Sequence, residues 1–140
     1  MKRKGSAVWN GGLKGGKGVV STESGVLKDT QYSFSSRFES GIGTNPEELI
    51  GAAHAGCFSM AFGMILENAG LTPDSISTTA EVQLNQMDGG FAIDKIHLTT
   101  VGRVPGATAE KFQELADVAK ANCPVSKLLK AKITLSATLE

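Results

Sequence analysis

Two periods of hydrophobic and polar positions run along the chain, and the change from one to the other marks the elements. From Tyr32 to Glu39 the residues alternate, with Tyr32, Phe34, Ser36 and Phe38 on one face and Ser33, Ser35, Arg37 and Glu39 on the other. A period of two predicts a strand with Arg37 turned to the face opposite the phenylalanines. Ser6–Asn10 and Gly18–Glu23 predict two shorter strands before it, in a stretch where residues 1–43 hold nine of the 17 glycines. Leu49 to Leu66 is different: apart from His54 and Ser59 it is apolar nearly all round. Such a run is either a membrane span or a helix buried on every side. Gly51, Gly56, Gly63 and its alanines make it only weakly hydrophobic, so a buried helix is expected.

The ends of that helix are written in the sequence. Thr44 or Asn45 caps it, Pro46 suits its first position, and Glu47 and Glu48 complement the helix dipole. It runs to about Asn68, where Gly70 stops it. Its three internal glycines each cost about 1 kcal/mol of helix propensity relative to Ala. Close packing against another helix is the expected compensation, and a homodimer with this helix at its centre is the simplest arrangement. Ile76–Asn85 and Phe91–Val104, joined at Asp88-Gly89-Gly90, predict a hairpin. Thr108 caps a second helix over Ala109–Asn122. Cys123-Pro124 interrupts it, and a short third helix is expected through Leu129. Ile133, Leu135, Ala137 and Leu139 alternate as a last strand. The order β-β-β-α-β-β-α-β is an α+β fold, expected as a single domain over residues 1–140.

Charge and composition narrow the function classes. The chain has 140 residues, 41% apolar and 20% charged, with 14 basic residues against 14 acidic ones. A folded core is expected, and zero net charge argues against a broad nucleic-acid footprint. Residues 1–30 carry six basic and two acidic residues, scattered as on a solvated β region rather than packed as a binding tail. Gly5 to Gly12 is not the apolar run of a signal peptide, so a cytoplasmic location and no membrane association are expected.

The chemistry rests on two cysteines. Cys57 and Cys123 are 66 positions apart, so there is no Cys-x-x-Cys redox motif. Taken alone, Cys57 reads as a small buried hydrophobe in an apolar helix. Cys123 precedes Pro124 at the start of a short helix, a place that lowers a thiol pKa. Contact between the two long helices would bring the sulfurs within reach of a disulfide only if the Cα atoms came within ~7 Å.

The segments Thr44-Asn45-Pro46-Glu47-Glu48-Leu49, Ala52-Ala53-His54-Ala55-Gly56-Cys57-Phe58-Ser59-Met60-Ala61 and Cys123-Pro124-Val125-Ser126 together resemble the OsmC/Ohr family of thiol peroxidases, named for osmotically inducible protein C and for organic hydroperoxide resistance. Ser21–Leu27 and the segment before Arg37-Phe38-Glu39 resemble its OsmC branch. The resemblance spans nearly the whole chain. It implies an intertwined homodimer, a peroxidatic Cys57 that becomes a sulfenic acid, and a resolving Cys123 that closes a disulfide with it. It implies Arg37 as the cation that stabilises the thiolate, since burial alone would raise the thiol pKa. Glu47 is implied as the residue orienting Arg37, with Glu48 the second choice. Hydroperoxide is the implied substrate and a dithiol, such as a lipoylated protein, the implied reductant, with no cofactor.

Glu47 and Cys57 are ten residues apart on one helix, about 15 Å at ~1.5 Å per residue. If both serve one site, the glutamate comes from the partner subunit or acts through Arg37. Phe58, Met60, Phe62 and Met64 are expected to line an apolar pocket that favours organic hydroperoxides. Four readings compete. His54, Cys57, His97 and Cys123 as zinc ligands match no known spacing. Gly11–Gly18 has the composition of a phosphate loop but lacks its Lys-Ser/Thr ending and reads as a hairpin turn. A redox-sensing or small-molecule-binding dimer, or two inert core cysteines, would use the same residues without turnover.

Overall fold

The short alternating segments at the start of the chain form a sheet of their own. The computed structural model describes all residues from Met1 to Glu140, which pack as two compact units, Met1–Leu49 and Ile50–Glu140. In the first unit, β1 (Gly5–Asn10), β2 (Lys17–Thr22) and β3 (Thr30–Ser33) form an antiparallel sheet in that order. The glycine-rich run is the β1–β2 turn, as expected. Gly11 takes a φ of 91°, and the Gly16 N–H closes on the Gly12 carbonyl at 2.7 Å.

The strand expected over Tyr32–Glu39 stops at Ser33, and Phe34–Phe38 is instead a short helix, α1. Ser33 and Ser36 form a reciprocal capping box. The Ser36 N–H donates to Ser33 Oγ at 3.2 Å and the Ser33 N–H to Ser36 Oγ at 2.9 Å. These local bonds take the groups a strand would offer to its neighbour. Phe34 and Phe38 still share a face, with rings 4.9 Å apart. A spacing of four residues puts two side chains on one side of either a strand or a helix, so the pattern fitted both.

The long helix α2 spans Pro46–Asn68 as its end signals predict. In the second unit it packs on a sheet of β4 (Ser75–Met87), β5 (Gly90–Arg103) and β6 (Lys132–Leu139). β4 and β5 are the expected hairpin; β6 returns parallel to β5 after α3 (Ala109–Asn122) and α4 (Pro124–Leu128). Phe58, Phe62 and Leu66 of α2 meet Leu98 and Val104, and Phe112, Leu115, Ala116, Ala119 and Cys123 close the core from the other side. A Cβ at Gly102 would stand 2.6 Å from the Phe112 ring, so this glycine lets α3 settle on β5. A chain of hydroxyls ties α2 to the sheet, from Ser59 to Thr78 at 2.8 Å and from Thr78 to the buried Thr100 at 2.9 Å.

α2 is not buried on every side. Gly51, His54, Phe58, Phe62 and Leu66 face the core, while Ala52, Ala53, Gly56, Met60 and Met64 are exposed on this chain. The glycines do not serve a helix–helix contact within the chain either. A Cβ at Gly51 would lie 3.1 Å from the Ala80 carbonyl of β4, and one at Gly56 would meet nothing.

Candidate active site

Cys57 and Cys123, 66 residues apart in sequence, bring their sulfurs to 3.1 Å. α2 presents Cys57 half-exposed on its core-flanking side. Cys123 is fully buried at the junction where α3 ends and α4 begins. The junction is set by Pro124: Cys123 donates its N–H back to the Ala119 carbonyl at 2.8 Å and closes α3, and Pro124 restarts the chain as α4. Both thiols are free. A disulfide at ~2.05 Å needs the sulfurs to approach by only about 1 Å.

The surroundings of Cys57 favour its protonated thiol. Burial pushes the Cys57 pKa up, a hydrogen bond from the Val125 backbone pulls it down, and the bond and charge of Cys123 push it up again; the net direction is up. The α4 backbone thus supports Cys57, while the Cys123 side chain makes no capping bond to α4.

One turn along α2, His54 is fully buried and its Nε2 lies 2.8 Å from Ser126 Oγ of α4. Its Nδ1 has no hydrogen-bond partner, and burial lowers its pKa, so the ring is neutral. Sequence reasoning did not find this pair. Its signal was there: His54 precedes Cys57 by three residues and Ser126 follows Cys123 by three. His97 lies elsewhere, with Nδ1 2.6 Å from Thr134 Oγ1 and Nε2 3.2 Å from Ser136 Oγ, and no group of three or more metal-binding side chains gathers in the fold.

In the first unit, α1 carries Arg37 and the first turn of α2 carries Glu47. Arg37 Nη2 donates to Glu47 Oε1 at 2.8 Å, and Arg37 Nε reaches both carboxylate oxygens at 3.2 and 3.3 Å. The carboxylate is well covered and the guanidinium about one-third exposed, with its carbon 5.3 Å above the Phe38 ring. Asn45 fixes the register of this pair. Its Oδ1 caps α2 by accepting the Glu48 N–H at 2.8 Å, and its Nδ2 donates to the Ser36 carbonyl of α1 at 3.1 Å. Glu48 is occupied by Thr44, whose hydroxyl donates to it at 3.2 Å, which leaves Glu47 for the arginine.

The apolar pocket expected around Cys57 does not form from the residues named for it. Phe58 and Phe62 point into the core, Phe62 at 5.0 Å from the Phe112 ring, and Met60 and Met64 face outward. Helical spacing separates 58 and 62 from 60 and 64 by more than a right angle. An apolar cleft of about 200 Å³ lies instead within the first unit, where Trp9, Tyr32, Phe34, Phe38 and Pro46 surround Arg37.

A family model described as "OsmC-like protein" matches residues 39–138. The chain is 57% identical over 140 residues to "Peroxiredoxin OsmC" of Escherichia coli, covering all of this chain and 98% of that protein. It is 31% identical over 129 residues to "Organic hydroperoxide resistance protein OhrB" of Bacillus subtilis, covering 91% and 93%. The crystal structure of B. subtilis OhrB superposes with a TM-score of 0.69 at 28% identity, over 98% of each chain. The fold, the sulfur pair and these likenesses agree: the chain belongs to the OsmC-like family.

Proposed function

We infer that this protein is a thiol-dependent peroxidase that reduces organic hydroperoxides to alcohols. The observation that carries the reading is the sulfur pair, one thiol half-exposed and the other buried 3.1 Å behind it. The names of the relatives, a peroxiredoxin and an organic hydroperoxide resistance protein, supply the substrate class. The Cys57 thiolate attacks the distal oxygen of the hydroperoxide, the O–O bond breaks, the alcohol leaves with a proton, and Cys57 becomes a sulfenic acid. The Cys123 thiol then displaces water to form the Cys57–Cys123 disulfide, which a dithiol, such as a lipoylated protein, reduces.

Cys57 needs a cation for this, since its surroundings in the second unit hold the proton on. Arg37, fixed by Glu47, is the cation in this reading, and it stabilises both the thiolate and the departing alkoxide. Ten residues of helix, about 15 Å, separate Glu47 from Cys57, and in this reading the partner subunit's Arg37 and Glu47 complete the site in a homodimer. Two features support that assembly. The first unit buries only Gly16, Gly18 and Ser36 and so has no apolar core of its own. α2 leaves Ala53, Gly56, Met60 and Met64 exposed in a row. A small sheet needs an apolar face packed on something to persist. The enzyme works in the cytoplasm in this reading, where the reductant is found.

Turnover tests the reading. Protein supplied with cumene hydroperoxide and excess dithiothreitol consumes many equivalents of hydroperoxide per chain, and Cys57→Ser consumes none. A redox sensor would stop after about one equivalent.

A further inference from the structure

Beside the Val125 backbone bond to Cys57, two side-chain rungs join α2 to the α4 segment, and the sulfur pair is one of them. The other is the His54–Ser126 bond, three residues earlier on α2 and three later on α4, so the rungs adjoin on facing sides. α4 has five residues, too few to persist as an isolated helix, and Cys123 does not cap it. Cys123 is anchored to α3 by its N–H, and the contacts that hold α4 fix the other side of its junction. His54 is fully buried and Ser126 nearly so. The unpartnered Nδ1 assigns the tautomer, because a buried N–H without an acceptor costs more than a lone pair without a donor. The proton is on Nε2, which donates to Ser126 Oγ. With Nδ1 unbonded, this is the only polar tether of the imidazole.

We propose that the His54–Ser126 hydrogen bond is a latch for the resolving step, pinning α4 to α2 so that the Cys57 sulfenic acid meets Cys123 before it meets a second hydroperoxide. This rests on the two-cysteine reading above. The sulfenic acid has two fates. It condenses with the Cys123 thiol to give a disulfide and water, or it takes an oxygen from another hydroperoxide to give a sulfinic acid and an alcohol. The latch acts on the ratio of the two. His54 and Ser126 are positioning residues, since neither touches the reacting oxygen.

The full-length Ser126→Ala protein, treated with excess cumene hydroperoxide without reductant, should show a ratio of sulfinic Cys57 to disulfide raised about fivefold, the worth of one neutral hydrogen bond. His54→Gln should raise it likewise, and Ser126→Thr, which keeps the hydroxyl, should restore the ratio to that of the unsubstituted protein. A merely structural role lowers melting temperature without moving the ratio. Nitrogen-15 shifts of the His54 ring should report a protonated Nε2 in the unsubstituted protein. An unchanged ratio in folded Ser126→Ala and His54→Gln, or a protonated Nδ1, overturns the proposal. If the unsubstituted protein consumes no hydroperoxide, the peroxidase reading falls, and the latch is judged by disulfide closure. Oxidised glutathione forms a mixed disulfide on Cys57, and Cys123 expels glutathione from it. Closure about fivefold slower in Ser126→Ala supports the latch, and equal closure overturns it.

Discussion

Cys57 sits where desolvation and a neighbouring thiol both favour the neutral form, opposed by a single backbone hydrogen bond from Val125. A buried thiol becomes a nucleophile only when a fixed positive charge offsets that burial. Arg37 suits the role because Glu47 holds it by three donor–acceptor contacts, which fix the plane of the guanidinium. Replacing Arg37 with Met should lower the second-order rate with cumene hydroperoxide by roughly 10²–10³ at neutral pH. The sign of the pH dependence follows from the raised pKa. Without the cation the thiolate fraction keeps growing with pH beyond the ordinary thiol pKa of about 8.5, whereas the unsubstituted enzyme levels off below it. Arg37→Lys should recover only part of the rate, since an ammonium cannot grip the carboxylate through two nitrogens. Stopped-flow rates across pH check this, and superimposable profiles for Arg37→Met and the unsubstituted protein would remove Arg37 from the thiol's surroundings.

The elements differ in how openly the sequence announces them. α2 begins and ends at Pro46 and Asn68 because its stop signals are local: an Asn cap, a proline at the first turn and a glycine beyond the last. The β4–β5 hairpin, α3 and β6 follow their periods in the same way. α1 was hidden because Phe34 and Phe38 satisfy two periods at once, and the deciding bonds are those between Ser33 and Ser36. The faces of α2 were hidden for the opposite reason. A helix apolar all round carries no periodic signal, so only the packing of Phe58, Phe62 and Leu66 tells inside from outside. At the site, Cys57 and Cys123 were legible through the segments around them and Arg37 and Glu47 through the same resemblance. The 3.1 Å approach of the sulfurs was not, because it depends on how α3 packs on β5 after the whole hairpin Ser75–Arg103 has intervened. The His54–Ser126 bond left only the matched three-residue spacing from the two cysteines as its trace, since its two residues lie 72 positions apart.

As a whole molecule, the chain divides its work between a unit with a core and a unit without one. Residues 50–140 bury a continuous apolar core, and residues 1–49 bury none of their aromatic rings. In the proposed homodimer the partner subunit resolves that imbalance and supplies Cys57 with its cation. Mixed dimers of Cys57→Ser and Glu47→Ala chains should then regain close to half of the normal dimer's activity, because one of the two sites recovers an intact cysteine together with an intact glutamate. Mixed dimers that stay inactive would show that each site is built within one chain. The two-cysteine peroxidase mechanism is tested most directly by counting thiols under anaerobic conditions before and after one equivalent of cumene hydroperoxide. The expected result is the loss of two thiols per chain and an intramolecular Cys57–Cys123 disulfide in peptide mass spectra, both reversed by dithiothreitol. Two thiols left intact by the hydroperoxide would contradict it.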